Sequence, residues 1–388
     1  LDMNKNIKFM ENESAFTVLS RAQELEKKGK EIINLGIGQP DFSPPKIIIE
    51  KAIDAIKTKS HGYSNSRGLL ELRQEIANNY LKSFSKLVDL KNILISPGAK
   101  PILYISISLL SSAGSEVIIS NPSFPIYRSI INYCGSKPVY FDLKEQNNFN
   151  FVADDIIEKI NNKTKLIILN TPCNPTGSVM AQSEQKKLFN FLKGFKNEIY
   201  ILSDEIYSKI IFNSKETSLI ENSESFNKLI VLNGLSKSHS MTGWRIGWGI
   251  FPDELIDDAV KYATNIYSCV NNFTQYAAIS ALRETNQYVE NMKQSFEERT
   301  NLMVNGINLI NGFSCILPKG SFYCYPNIEK TGRNSKELQH ELLEKLGIAT
   351  IDGNNFGRKN DGFIRISCCT SKKNINKALA ILTNYFNK

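Results

Sequence analysis

The stretch Val231-Leu-Asn-Gly-Leu-Ser-Lys-Ser-His-Ser-Met-Thr-Gly-Trp-Arg245 sets a lone lysine, Lys237, between an apolar run and a Thr-Gly-Trp-Arg turn. The run 229–232 leads into Asn-Gly, as a buried strand ends at its carboxyl edge, and open α/β sheets place their ligands beyond that edge. A lysine there has two readings. Either it is a solvated surface residue beside serines, or it sits in a desolvated cleft that lowers its pKa and frees its amine to form a Schiff base. In the second case Arg245 supplies a fixed fork for a phosphate. The rest of the chain must supply the partners that decide between them.

Outward from this stretch, short β-branched runs alternate with helical segments from Ile93 onward: 93–96, 117–120, 138–142, 166–170, 199–203, 229–232 and 245–251. That alternation predicts an α/β fold, a mostly parallel mixed sheet flanked by helices. Upstream, 15–30, 46–57 and 69–84 read as helices. Residues 32–42, broken by two glycines and a proline, read as a loop, and 61–68 as a turn-rich connector. Beyond Phe251 the pattern turns helical, with a long polar-faced helix over 287–310. The tail then holds Gly320–Tyr325, Phe363–Ser367 and a final helix from Lys372, an α+β pattern. At 388 residues the chain exceeds a usual single core. We expect a large domain over 49–279 and a smaller α+β domain built from both chain ends, 1–48 and 280–388.

The net charge of +8 comes from 47 basic and 39 acidic residues that are scattered along the chain. Without a basic run interleaved with aromatics, nucleic-acid binding is not favoured. No apolar run approaches a membrane span, and the N-terminus lacks the apolar core of a signal peptide, so a cytoplasmic protein is expected. The seven cysteines include no Cys-x-x-Cys pair, which fits reduced thiols better than a disulfide framework or a zinc site. The three histidines, His61, His239 and His340, are too widely separated for a histidine-rich metal centre.

Four other strand ends carry chemistry. Asp204 directly follows an apolar strand, where a carboxylate either holds a heteroaromatic nitrogen protonated or caps a helix. Tyr207, three residues on, is a donor to a ring oxygen or a core phenol. In Asn170-Thr-Pro-Cys-Asn-Pro-Thr-Gly177, two prolines fix a loop in which Asn174 offers an amide to a ligand or forms an Asx turn. Ser96-Pro-Gly-Ala-Lys-Pro101 precedes an apolar helix, so the N–H groups of Gly98, Ala99 and Lys100 would face beyond the strand as a phosphate-type terminus. Phe124, in Asn121-Pro-Ser-Phe-Pro-Ile-Tyr127, either stacks on a planar ring or plugs a cleft.

With an amine, an aspartate and tyrosine, an asparagine and a phosphate-type terminus at successive strand ends, the sequence resembles the fold-type I, pyridoxal-phosphate-dependent aminotransferases of class I/II. The motifs Gly38-Gln-Pro-Asp-Phe42, Asn174-Pro-Thr-Gly177, Ser203-Asp-Glu-Ile-Tyr207, Ser236-Lys237 and Met241-Thr-Gly-Trp-Arg245 occur in the family's order, and the resemblance runs from about Ser20 to the C-terminus. It implies pyridoxal 5′-phosphate as cofactor in the large domain. Lys237 is similar to the Schiff-base lysine that later moves the α-proton. Asp204 would pair with the pyridine nitrogen, Asn174 and Tyr207 would bond the ring hydroxyl oxygen, and Phe124 would stack on the ring. Gly98, Ala99, Lys100 and Arg245 would hold the phosphate. Arg365 and Gly38 match the groups that receive the substrate α-carboxylate, with Asn174 beside them. Tyr63 matches a tyrosine given to the neighbouring subunit's phosphate, which implies a homodimer with shared sites.

Two departures stand out. Gly234 occupies the position where many relatives carry a phosphate-binding serine, and Ser236 is the candidate replacement. The apolar segment after Lys100 offers no evident basic residue for a distal carboxylate, which favours a neutral donor over a dicarboxylic one. The resemblance therefore implies a ping-pong exchange between an L-amino acid and a 2-oxo acid, with the amino group held as pyridoxamine phosphate in between. A β-lyase on the same scaffold is the alternative. A transcriptional sensor is disfavoured, because only about thirty residues precede Leu35.

Overall fold

The long strands are buried runs of Ile, Leu and Val, the composition of strands covered on both faces. The computed structural model describes residues 5–11, 13–59, 61–224 and 226–388. In chain order its strands are β1 Ile33–Asn34, β2 Ile93–Ser96, β3 Glu116–Asn121, β4 Lys137–Asp142, β5 Thr164–Asn170 and β6 Tyr200–Asp204. They continue with β7 Leu229–Gly234, β8 Gly247–Ile250, β9 Tyr323–Cys324, β10 Ile348–Ala349, β11 Ile351–Asp352 and β12 Ile364–Ser367. Strands β2 to β8 form one seven-stranded sheet in the order β2-β8-β7-β6-β5-β3-β4.

Strands β3 to β7 run parallel, while β8 is antiparallel to both of its neighbours, β2 and β7. Strand β2 therefore runs with the parallel set. As a result Ser96, Asn121, Asn170, Asp204 and Gly234 all end their strands at one edge of the sheet, where ligands of open α/β sheets bind. The period-2 alternation divides the strand residues between two cores. Ile118, Ile167, Leu169, Ile201 and Val231 pack with Leu72, Ile76, Leu188 and Ala277 on one face. Ile119, Leu166, Ile168, Leu202 and Ile230 pack with Ile102, Ile130 and Ala259 on the other.

A separate core joins the two ends of the chain. Ile33 and Leu35 pack with Met303, Ile307, Leu338, Ile366 and Leu382, around the antiparallel set β11-β12-β9 and the helices Asn286–Ile307 and Lys372–Phe386. Among the described residues no helix is long and apolar enough to cross a membrane.

The structure departs from the sequence reading at two places near the site. Residues 32–42 are not wholly a loop, since β1 pairs in parallel with β10, a partner too distant in sequence to leave a local signal. The strand read as 245–251 begins only at Gly247. Arg245 closes the turn Thr242–Trp244 with φ of 53°, in the left-handed region, so it cannot continue as extended chain. Gly247 in turn lets two backbones meet: a Cβ there would lie 2.8 Å from the Gly98 carbonyl carbon and 2.9 Å from the Ala99 nitrogen.

Candidate active site

Beyond the shared sheet edge lies a cavity of about 530 Å³ whose wall includes Lys237, Asp204, Asn174 and, from β12, Arg365. Lys237 sits in the loop after β7, whose flanking Leu235 and Met241 are buried anchors. Its Nζ donates to the Gly38 carbonyl at 2.6 Å. Burial pushes the amine down from 10.5 to about 8; Arg365 and Lys100 push the same way, while Cys369 and Glu13 oppose them. The nearby His239 ring is buried and paired with Ser238 Oγ at 2.7 Å, and desolvation lowers it to about 3, so it carries no charge.

Asp204, at the end of β6, is fully enclosed, and burial raises its carboxyl from 3.8 to about 6. The rise is limited by the Tyr127 hydroxyl, which donates to Oδ2 at 2.6 Å, by the Ile206 N–H, 3.3 Å from Oδ1, and by the Lys237 charge. No helix begins at Asp204, so it is not a helix cap. Sequence reasoning missed Tyr127. It lies three residues beyond Phe124 in a helix that starts at Pro125, so helical spacing was the available signal. Phe124 lines the cavity and meets the Tyr127 ring edge-on, with centroids 5.6 Å apart.

Arg365 projects from β12 into the same cavity, 3% exposed. Its Nη2 donates to the Gly36 carbonyl at 2.5 Å and its Nη1 to Asn174 Oδ1 at 3.1 Å. The guanidinium lies over the Tyr323 ring at 4.3 Å and the Phe356 ring at 5.0 Å. Its buried Nε has no partner among the described residues, which leaves part of a planar fork unsatisfied. Tyr207 completes this wall, with its hydroxyl 3.2 Å from that of Tyr323. Gly38 is required by close approach, because a Cβ there would sit 1.8 Å from the Tyr323 hydroxyl oxygen. Tyr323 is the second residue the sequence reading left without a role.

At the opposite end, Ala99 precedes the helix Lys100–Leu110, whose first N–H groups lack intrahelical acceptors. The Gly98 N–H is not among the free ones. It donates to the Ser96 carbonyl at 2.8 Å, because a tight turn follows β2. What Gly98 contributes is space: a Cβ would lie 2.2 Å from Arg245 Nη2, and Gly98 itself has φ of 86°. Arg245 is oriented by the Thr242 carbonyl at 2.7 Å and the Pro97 carbonyl at 3.3 Å. Ser236 lines the cavity nearby. A side chain at Gly234 would begin 2.9 Å from the Ile246 carbonyl, so the strand pairing there leaves no room for a serine. Tyr63 stands apart from the others, 91% exposed on the outer surface and outside this cavity.

Residues 30–382 match the model of the family "Aminotransferase class I and II". The chain is 35% identical over 387 residues to a (5-formylfuran-3-yl)methyl phosphate transaminase of Methanocaldococcus jannaschii, covering 100% of each. It is 38% identical over 360 residues to a probable aspartate aminotransferase of the same organism, covering 91% of this chain and 93% of the other. Among solved structures, a Methanococcus jannaschii protein described as similar in its active site to kynurenine aminotransferases superposes with a TM-score of 0.89 at 34% identity, covering 99% of both chains. The chain belongs to the class I and II aminotransferases. It is a transaminase.

Proposed function

We propose that the chain exchanges an amino group between an L-amino acid and a 2-oxo acid by a ping-pong cycle on pyridoxal 5′-phosphate, with a neutral donor preferred. The observation that carries this is the convergence, on one cavity, of an amine of lowered pKa, a buried carboxylate and a guanidinium fork. These residues fit the cofactor: the buried carboxylate of Asp204 suits the ring nitrogen, and Arg245, seated against Gly98 beside the helix terminus at Ala99, suits the phosphate. When bound, the cofactor supplies the carbonyl that takes the amino group and an electron sink for the carbanion at the substrate Cα.

In this reading Lys237 Nζ would hold the cofactor until the substrate amine displaces it, and would then move the proton from the substrate Cα to the cofactor carbon on the other side of the shared nitrogen. An amine near pH 8 can do both at neutral pH. Asp204 keeps the ring nitrogen protonated, Tyr207 and Asn174 hold the ring oxygen, and Phe124 covers the ring. Arg245, Ser236 and the backbone N–H groups of Ala99 and Lys100 at the helix terminus would take the phosphate. Arg365, positioned by Gly36 and Asn174, orients the α-carboxylate beside Gly38. Rising pH should therefore speed uptake of pyridoxal phosphate by the apoprotein, with a midpoint near 8 rather than the 10.5 of an ordinary lysine. Stopped-flow absorbance across pH 6.5 to 10 checks this; a midpoint above about 10 would contradict it.

We take 49–279 as the large domain and 1–48 with 280–388 as the smaller one, a division supported by the core that joins both chain ends. A homodimer is part of the proposal. The helix Lys46–Thr58 exposes Ile49, Ile53 and Ile56, with Tyr63 and Leu70 also outside, an apolar face suited to a second copy that would receive Tyr63. The test of function is a half-reaction screen. The holoenzyme is mixed with single amino acids and its visible absorbance followed. Transamination predicts bleaching that persists until a 2-oxo acid restores the colour, with the fastest rates for neutral donors. Pyruvate and ammonia released without an acceptor would instead establish the β-lyase.

A further inference from the structure

Glu13 stands at the N-cap of the helix Ser14–Lys27, yet its carboxylate caps nothing there. Instead Oε2 lies 2.5 Å from Lys100 Nζ, and both residues line the cavity. The rings of Phe16 and Phe124 flank that ammonium at 5.7 and 5.8 Å. The segment leading to Glu13 is fastened over the helix Pro125–Tyr133. The Glu11 N–H donates to Ser129 Oγ at 2.9 Å, the Glu11 carboxylate pairs with Arg128 at 2.5 Å, and Ser129 Oγ donates to the Phe9 carbonyl at 3.2 Å. Glu13 is thus held at the cavity from outside the sheet.

Among the described residues, the cations lining the cavity are Lys100, Lys237, Arg245 and Arg365. In the reading above, Arg365 takes the α-carboxylate, Lys237 and Arg245 serve the cofactor, and Lys100 lends the phosphate only its backbone N–H, its ammonium being paired with Glu13. A second carboxylate on the substrate would then need Lys100, whose charge Glu13 already matches. We propose that Glu13 is a specificity-determining residue: by pairing with Lys100 it presents a neutral wall to the substrate side chain and excludes a distal carboxylate. A dicarboxylic substrate must either displace Glu13 or meet its charge, whereas an apolar side chain meets Phe16 and Phe124. This rests on the neutral-donor reading and gives it a physical agent.

The experiment measures, by calorimetry on the holoenzyme, the affinities for succinate and for 4-methylpentanoate, two unreactive acids that differ in the distal group. Glu13→Gln should raise the succinate-to-methylpentanoate affinity ratio by roughly tenfold at low salt and less at high salt, as expected when a partly exposed cation is unmasked. Adding Lys100→Met to that variant should return the ratio to its starting value, which isolates the pair from general effects of the substitution. Glu13→Ala is the second variant and should move the ratio the same way. A ratio unchanged within about twofold in both Glu13 variants overturns the proposal. Failure of the neutral-donor reading looks different: the unsubstituted enzyme would already bind succinate the better of the two, whatever Glu13 replacement then does.

Discussion

Replacing Lys237 by alanine is expected to abolish amino transfer, with a fall in turnover on the order of 10⁵ or more, the scale of losing a covalent nucleophile. The expectation follows from the surroundings of the amine. The Lys237 amine is pushed down toward neutrality, to about 8, while the other lysine lining the cavity among the described residues, Lys100, is held in an ion pair with Glu13. Among the described residues, the neighbouring His239, Tyr207 and Tyr323 are not placed to take over proton transfer at Cα. His239 is enclosed, neutral and bonded to Ser238, and the hydroxyls of Tyr207 and Tyr323 face one another, each raised above the usual phenol range by burial. The fold should survive, because the substitution removes a desolvated amine rather than a packed apolar side chain. Steady-state kinetics alongside a thermal melt checks both halves, and turnover within tenfold of the unsubstituted enzyme would refute the assignment.

The next largest effect is expected at Asp204. Changing it to asparagine keeps the shape and one hydrogen-bond acceptor but removes the charge, and should slow the amino-acid half-reaction by roughly 10³, typical of losing a preorganised electrostatic partner in a dry site. Asp204 is enclosed and bonded on both oxygens, by Tyr127 at 2.6 Å and by the Ile206 N–H at 3.3 Å, so asparagine can fill the site without collapse. With its carboxyl near 6, Asp204 is ionised at neutral pH and loses its charge as pH falls through that value. Pre-steady-state absorbance with a single amino acid isolates the step. A loss smaller than tenfold would mean that the ring nitrogen does not depend on this carboxylate.

Much of the large domain was legible because most of its strands are buried and rich in Ile, Leu and Val, and each of the seven runs became a strand of the one sheet. Their ends were legible too, since Asp204, Asn170 and Gly234 stand at the point where an apolar run gives way to polar residues. What failed was anything set by distance in three dimensions. Tyr127 beside Asp204, Tyr323 over Gly38 and Glu13 against Lys100 join segments far apart in sequence. The Gly98 N–H was misread because a turn bond to Ser96 has no residue signature. Gly234 looked like a lost phosphate contact, and the structure supplies a packing reason for it in the close approach of Ile246 and Gly247.

The measurement that bears most directly on the central claim is borohydride reduction of the holoenzyme followed by peptide mass mapping, which turns a carbon–nitrogen double bond between cofactor and lysine into a permanent link. The account predicts a single labelled peptide, with the pyridoxyl phosphate on Lys237, and loss of the label when the enzyme is first converted with an amino acid. Label on Lys100 or another lysine, or label that an amino acid leaves in place, would contradict it.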